Sequence, residues 1–483
     1  MLGNKSPSKE PDHCVEGDVI STSYEVKLEA KEPPVSEQKL LRKMDWHLIP
    51  FLSLLYLCSF LDRVNIGNAR LFSMEESVGV TDDQFAWSLS IFYVGYVLLE
   101  VPSNNLLKRF RPSRWISRIM VSWGIITMCT AAVKGFASLM ICRFLLGCAE
   151  AGFFPGIIFY LSFWYKRSEQ GSRIGLFFSA CLLAGAFSGV LSFLLSHLEA
   201  FGGLHAWQWV FIIQGAPSLI LGVCTWFYLP DFPGTAAWLS AEEREFAVNR
   251  LKIDLVDSAE TGFKREEFWA AVGDLKVWLY MILYFCIVTP SISISLYLPT
   301  LISQMGFTNM QTQLLTTPPY ILSAIIALIN TFHSDRTKER GYHIMVPSFI
   351  CIVGYALLVT LDGPGPLYIS SMLVMVGLFP VIPVVIAWLS NNMVGTTKTA
   401  TATAMMVSFG TMGGAFGGQF YHPSQGPRCL EGHLVSLSLI LVGIFVTIFI
   451  KIFLRRENLK QGNADMESGV KPEAMKSNFQ YIL

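Results

Sequence analysis

The feature that most constrains the fold is the segment from Ile344 to Thr397, in which Asp362 is the only charged residue. Asp362 lies in the sequence LDGPGP, which is typical of a turn. A helix needs about 20 mostly apolar residues to cross a lipid bilayer. The segment therefore predicts two adjacent transmembrane helices that are joined by a short turn.

The same pattern recurs along the chain. Charged residues make up 15% of the 483 residues, whereas soluble domains contain about 25%, and the mean hydropathy is +0.46. We therefore expect an all-α membrane protein with 12 transmembrane helices. The predicted spans are 46–65, 84–107, 115–133, 137–165, 171–196, 207–229, 276–303, 312–333, 343–361, 366–390, 398–420 and 434–454.

The orientation follows from the lysines and arginines of the short loops, which concentrate on the cytoplasmic side of membrane proteins. The loops after spans two, four, eight and twelve are basic, whereas the alternate loops carry only Arg70, Lys134 and Arg428. Both termini are therefore predicted to be cytoplasmic. The basic residues are Lys108, Arg109, Arg111, Arg114, Lys166, Arg167, Arg173, Arg336, Lys338, Arg340, Lys451, Arg455 and Arg456.

Polar segments divide the chain into domains. Residues 1–45 and 456–483 are predicted to be disordered cytoplasmic tails, and residues 230–275 form a cytoplasmic linker between six-helix bundles at 46–229 and 276–455. Within the linker, LSAEEREFAVNRL predicts an amphipathic helix with Ser240 as N-cap and Glu243 closing a capping box.

A weak internal repeat indicates that the two bundles are duplicated halves. Trp388 and Gly395 follow Trp164 and Gly171 at one common offset, and basic loops recur at nearly the same offset. Halves that are related by an axis along the membrane normal are a known plan of transporters, with the substrate near the middle of the membrane between them.

Charged residues inside the predicted spans concentrate in the first half: Asp62, Arg63, Glu100, Arg143 and Glu150. Each costs about 2.5–3.5 kcal/mol on insertion scales, so such residues are rare and usually functional. Arg143 and Glu150 lie about 10 Å apart on one helix face. Asp62 and Arg63 diverge by about 100°. We expect Asp62 to pair with Arg143 if spans one and four touch.

These residue types suit the coupled binding of an anion and a proton. A carboxyl group that is buried in apolar surroundings takes up a proton more readily, and the planar arginine fork matches a carboxylate. The alternative is a set of structural ion pairs. For Glu100, which precedes Pro102, pairing with the nearby basic loop remains an alternative to a role in the site.

Other polar residues could complete the site. Tyr96 shares a helix face with Glu100, and Asn391 and Asn392 end span ten, where they are costly unless they face protein or water. Ser408 lies on the glycine-rich span eleven.

Several functional classes are not supported by the sequence. The net charge is zero, and no basic tract indicates a nucleic-acid partner. The ten cysteines have no metal-site spacing, and no catalytic set or phosphate-binding loop occurs. We therefore expect no cofactor and no enzymatic activity, and a monomer whose partners are a small organic anion, protons and lipid.

Several motifs carry a family resemblance. LDRVNIGNA, RFLLGCAEAGFFPG, FWYKRSEQGSRIG and WLSNNMVGTTKTA resemble the anion:cation symporter branch of the major facilitator superfamily. They look most like fungal permeases related to allantoate, nicotinate and pantothenate transporters. The resemblance extends from about residue 40 to residue 455.

The resemblance implies roles for individual residues. It implies protonation sites at Asp62 and Glu150, and substrate contacts at Arg63 and Tyr96. It also implies that Arg143 is the arginine that this branch carries on its fourth span, and we expect Arg143 to belong to the substrate site and to tune the carboxylates.

The chain also departs from the family pattern. The loop after span two lacks the aspartate that latches the cytoplasmic gate, whereas the loop after span eight keeps Asp335 and Arg336, which implies a latch there. Cys181 replaces a glutamine that a bacterial relative uses to hold a sugar acid, which favours a less polar substrate.

The leading hypothesis is a proton-coupled importer of a small organic monocarboxylate in the plasma membrane. The alternative is an exporter of an acidic secondary metabolite with the same fold. A third class, a nutrient receptor without transport, is less favoured because the predicted tails are short.

Overall fold

The computed structural model describes residues 36–198, 201–254, 265–421, 429–467 and 481–483, and the regular structure within these ranges is helical. In the first half the helices are α1 (Glu37–Arg70), α2 (Met74–Val78), α3 (Asp82–Arg109), α4 (Pro112–Thr130), α5 (Phe136–Glu150), α6 (Phe153–Ser162), α7 (Arg167–Leu195) and α8 (Ala206–Tyr228). The linker contains α9 (Ala241–Asp254) and α10 (Arg265–Val272). The second half contains α11 (Leu275–Gln304), α12 (Asn309–Leu315), α13 (Thr317–Thr337), α14 (Gly341–Thr360), α15 (Pro364–Leu378), α16 (Val381–Asn391), α17 (Thr396–Gly417) and α18 (Leu430–Glu467).

Ten helical segments in the described ranges are long and apolar enough to cross a membrane. Three of them combine two helices across a break, namely α5 with α6, α12 with α13, and α15 with α16. The other two spans expected from the sequence correspond to α4 and α17, which are not among those ten. The prediction of an all-helical membrane protein is confirmed.

The helices pack into two groups that follow the chain order. In the first, α4 packs on α8, α3 on α5, and α1 on α7 and α8. In the second, α11 packs on α17 and α18, and α14 on α15 and α18. Small residues permit this close packing. At Gly147, for example, a Cβ atom would lie 2.0 Å from the carbonyl oxygen of Phe92 on α3.

The two bundles meet along α7 and α13, α3 and α17, and α1 and α11. On α7, four glycines face side chains or backbone of α12 and α13, so these two helices approach α7 closely over most of its length. The facing pairs are Gly171 with Asp335, Gly175 with Thr331, Gly185 with Tyr320, and Gly189 with Gln313.

The linker helix α9 begins as the sequence predicts. The Ser240 hydroxyl accepts from the Glu243 N–H at 3.1 Å, and the Glu243 carboxylate accepts from the Ser240 N–H at 2.8 Å. Lys43 on α1 donates to the same carboxylate at 2.6 Å and lowers the pKa of Glu243. The capping box is therefore confirmed, and α9 is attached to the first bundle.

The ends of the chain differ from the tails expected from the sequence. Helix α1 begins at Glu37, so residues 37–45 are helical, and α18 continues to Glu467. Tyr481–Leu483 lie against the second bundle, where Trp388 donates to Ile482. Residues 1–35 and 468–480, which also belong to the predicted tails, lie outside the described residues.

A candidate site between the two bundles

A cavity lies between the bundles and is lined mainly by aromatic and aliphatic side chains. Tyr56, Arg63 and Tyr96 contribute from the first bundle, and Tyr284 and Thr411 from the second. Its volume, counted as the space open to the centres of water molecules, is about 80 Å³. One water needs about 10–15 Å³ by that measure, so the cavity has room for only a small group in this conformation. Among its lining residues, Arg63 is the only one with a charged side chain.

Arg63 is positioned by a carboxylate on one side and by aromatic rings on the other. Its Nε donates to Glu150 Oε1 at 2.7 Å. Its guanidinium carbon lies 4.9 Å from the centre of the Tyr96 ring and 5.8 Å from that of Phe92, which are cation–π distances. The Arg63 side chain is 16% exposed and that of Glu150 is 1% exposed. Arg63 is therefore the member of the pair that reaches the cavity.

The Arg63 fork retains donor capacity. Its Nη2 is buried and has no hydrogen-bond partner among the residues that the structure describes. A carboxylate that enters the cavity could accept from this group, because the guanidinium offers donors in a geometry that matches two oxygens.

Glu150 occupies a break in its helix. Helix α5 ends at Glu150, and Gly152 has the left-handed backbone conformation, φ +81°, before α6 begins. The Ser59 hydroxyl donates to the same Oε1 that accepts from Arg63. The sequence analysis missed Ser59, although its position four residues before Arg63 places both on one face of α1.

Asp62 points away from Arg63, as expected for adjacent helical residues. Its Oδ2 accepts from the Ser218 hydroxyl of α8 at 2.9 Å, and the residue is buried. The expected ion pair between Asp62 and Arg143 is wrong for this structure, because Arg143 has no carboxylate partner among the described residues. The rotation of α1 instead directs Arg63 to Glu150.

Glu100 and Ser408 lie close to the bundle interface but are absent from the cavity lining. Glu100 is fully buried, and neither carboxyl oxygen has a hydrogen-bond partner among the described residues. The Ser408 hydroxyl of α17 faces it from the other bundle. Val407 and Thr411, the neighbours of Ser408 on α17, line the cavity instead.

The two asparagines at the end of α16 are also absent from the cavity lining. Asn392 donates to the Tyr280 hydroxyl at 3.0 Å and to the carbonyl oxygen of Ile482 at 2.9 Å. Asn391 is half-buried at the last position of α16. The structure therefore places Asn392 in a contact between the second bundle and Tyr481–Leu483.

Asp335, one of the two residues predicted to act in gating, pairs with Arg340 and not with the adjacent Arg336. Asp335 lies 2.6 Å from Arg340, and its other oxygen accepts from the Ser172 hydroxyl of α7 at 2.5 Å. Arg336 is exposed and Arg340 is buried. Asp335 lies in the last turn of α13, and its partners are Arg340 and, across the bundle interface, Ser172.

Comparisons with known proteins agree with this architecture. The sequence profile described as Major Facilitator Superfamily matches residues 52–418. The chain is 33% identical over 443 residues to MFS transporter prlL of Fungal sp. (strain NRRL 50135), an alignment that covers 87% of this chain and 89% of that protein. It is 36% identical over 342 residues to a putative tartrate transporter of Agrobacterium vitis, covering 71% of this chain and 78% of that protein.

Two solved structures are similar in fold. The proton:xylose symporter XylE, bound to 6-bromo-6-deoxy-D-glucose, superposes with a TM-score of 0.68 at 12% identity, and the match covers 85% of this chain and 96% of that one. A bacterial homologue of the human lysosomal transporter Spinster, in an inward-facing and occupied conformation, gives a TM-score of 0.62 at 15% identity, covering 84% and 96%.

Proposed function

Because this chain belongs to the Major Facilitator Superfamily, and is thus a multi-pass membrane transporter and not an enzyme, we propose that it is a proton-coupled symporter. Its cargo in this proposal is a small organic monocarboxylate that is imported across the plasma membrane by alternating access. The single observation that carries the proposal is the ion pair between Arg63 and Glu150 at the wall of the cavity.

This ion pair supplies a mechanism for coupling. While Glu150 is ionised it neutralises Arg63, so an incoming carboxylate must compete with it. A proton on Glu150 removes that competition, and the substrate carboxylate then becomes the counter-ion of Arg63. By linkage, the bound anion also favours the protonated state of Glu150. Loss of the proton on the cytoplasmic side restores the ion pair and displaces the anion.

The cavity lining supports a cargo with one carboxylate and a weakly polar body. One arginine faces the cavity, and Tyr56, Tyr284 and Cys181 contribute aromatic and thiol surface. Ligand sites of this kind gain affinity from apolar contact and orientation from a few polar groups. A vitamin acid or a nitrogen-source acid fits this chemistry. Tartrate, which the name of one relative suggests, has two carboxylates and two hydroxyl groups and therefore fits this lining less well, so it serves as a comparison cargo in the test.

Other residues have supporting roles in the proposal. Asp62, which is buried beside Ser218, is a second proton-binding carboxyl group. The positive charge of Arg143 tunes the two carboxyl groups electrostatically. Asp335 closes the gate through Ser172. Transport by this route requires no cofactor and no second subunit.

The test is uptake of labelled nicotinate, pantothenate, allantoate, biotin and tartrate by cells that express the protein, at two external pH values. We expect one or a few carboxylates to accumulate faster at the acidic pH, with an Arg63→Ala variant as the inactive control. Uptake that does not respond to external pH would contradict proton coupling. Efflux from preloaded cells without uptake would favour the exporter.

A further inference from the structure

The second bundle holds a segment of the chain itself, Tyr481–Leu483, on a surface formed by Lys276, Trp388, Asn392 and Asn458, which we call the groove. Asn392 at the end of this bundle's α16 binds Ile482 in two ways, since its Nδ2 donates to the carbonyl oxygen at 2.9 Å and its Oδ1 accepts from the N–H at 2.8 Å. Trp388 Nε1 donates to the same carbonyl oxygen at 2.7 Å. The backbone of Ile482 is thus fully hydrogen-bonded by side chains.

A second asparagine repeats this arrangement one residue earlier. Asn458 on α18 donates to the Tyr481 carbonyl oxygen and accepts from the Tyr481 N–H, both at 2.9 Å. Lys276 donates to the Tyr481 hydroxyl at 2.8 Å and lies 4.5 Å from the centre of its ring. Two amides that each satisfy one residue's N–H and C=O reproduce the main-chain pairing by which sheet edges recognise extended peptides.

The third residue connects the groove to the gate. The Leu483 carbonyl oxygen accepts from the N–H groups of Arg340 at 2.7 Å and Gly341 at 3.3 Å. These N–H groups lie at the start of α14, whose N-cap residue Arg340 makes no side-chain cap, and Leu483 therefore caps them while Glu339 accepts from the N–H of Tyr342. The Arg340 side chain in turn contacts Asp335, which accepts from Ser172 of the first bundle.

We propose that this groove is an intramolecular peptide-binding site, and that Tyr481–Leu483 bound in it stabilise the closed gate on the predicted cytoplasmic side. The physical link is Arg340. Its backbone is held by Leu483, and its guanidinium holds the aspartate that contacts the opposite bundle. When the segment leaves, the start of α14 loses its cap and Arg340 loses this constraint. The gate then opens more often. This proposal does not depend on the identity or coupling of the cargo.

Opening of the gate is measured with a reporter cysteine, introduced by Thr331→Cys on α13. The Thr331 side chain is buried there and packs against Gly175 of α7. Its labelling by a membrane-impermeant maleimide is followed in inside-out vesicles, without substrate, by peptide mass spectrometry. In this background, Ile482→Pro removes the N–H group from which Asn392 Oδ1 accepts a hydrogen bond. Asn392→Leu removes both of its bonds to Ile482 from the groove side.

We expect each variant to raise the labelling rate about tenfold, because it removes one or two hydrogen bonds that are each worth a several-fold change in equilibrium. Leu459→Ala, which alters an exposed neighbour of Asn458 on α18, should leave the rate unchanged. A labelling rate in Ile482→Pro equal to that of the parent overturns the proposal. If Asn392→Leu fails to reach the membrane, Ile482→Pro decides alone.

Discussion

Replacing Glu150 by glutamine tests the coupling mechanism most directly. The Arg63 Nε donates to Glu150 Oε1 at 2.7 Å in a site that is almost closed to solvent. Glutamine keeps the size of the side chain and removes its charge, so it imitates protonated Glu150. The variant should bind the anion at neutral pH as tightly as the unmodified protein binds it in acid.

The size of the pH effect on substrate affinity follows from the hydrogen bond between Arg63 and Glu150 that the substrate has to displace. Hydrogen bonds to charged groups contribute about 1.5–3 kcal/mol, and about 1.4 kcal/mol corresponds to a tenfold change in affinity. We therefore expect the affinity of the unmodified protein for the anion to fall about 10- to 100-fold between acidic and neutral pH. The affinity of Glu150→Gln should vary about threefold or less over the same range.

The assay compares two modes of transport in proteoliposomes. Exchange of labelled for unlabelled substrate reports binding and alternating access, and uphill uptake driven by a proton gradient reports coupling. Glu150→Gln should retain exchange and lose gradient-driven accumulation. Glu100→Gln is the matched control, because Glu100 is also a buried carboxyl group in the first bundle but has no ion pair with any residue that the structure describes. The reasoning is refuted if Glu150→Gln accumulates substrate normally.

Three further substitutions test other parts of the structure. Arg63→Lys should raise the substrate KM at least about tenfold in uptake assays, because lysine keeps the charge but loses the fork that binds a carboxylate; an unchanged KM would exclude Arg63 as the anion contact. Gly147→Ala should lower the melting temperature in detergent, since its Cβ would lie 2.0 Å from a backbone oxygen of α3 and overpacking costs about 1–3 kcal/mol. Gly365→Ala is the control, because a Cβ atom at Gly365 would meet nothing within 4 Å, and it should leave the melting temperature unlowered. Equal melting temperatures of the two variants would refute this packing argument. Asp335→Asn should increase cytoplasmic maleimide labelling of the Thr331→Cys reporter about tenfold, because it weakens the charged contacts of the gate; a labelling rate equal to that of the parent would exclude Asp335 from it.

Much of the fold could be predicted from the sequence, because the cost of placing a polar group in lipid is a property of each residue. The charge-free segment around Asp362 predicts two spans, and α14 and the pair α15 and α16 occupy these positions. Helix caps are equally local, so the capping box of Ser240 and Glu243 was predictable and is present. The same cost argument selected Arg63 and Glu150 as candidates before any contact was known.

The choice of partners depended on the tertiary structure. Helical periodicity predicts that Asp62 and Arg63 diverge, but it does not state which neighbouring helix each one meets. Only the packing of α1 directs Arg63 to Glu150, and Asp62 to Ser218 on α8. The partner of Asp335 depends on packing in the same way, since the turn into α14 brings Arg340 to the carboxylate.

The two asparagines at the end of α16 show where sequence reasoning ended for this protein. The free-energy cost of a polar side chain at a span end indicated a protein or water partner for each asparagine. For Asn392 the partners are Tyr280 and Ile482, both of which are far away in sequence. The sequence by itself determined which positions are apolar, which are charged and where helices begin, because those depend on single residues and their near neighbours. Contacts between distant segments depend on the rotation and register of whole helices, which packing of the complete bundle decides.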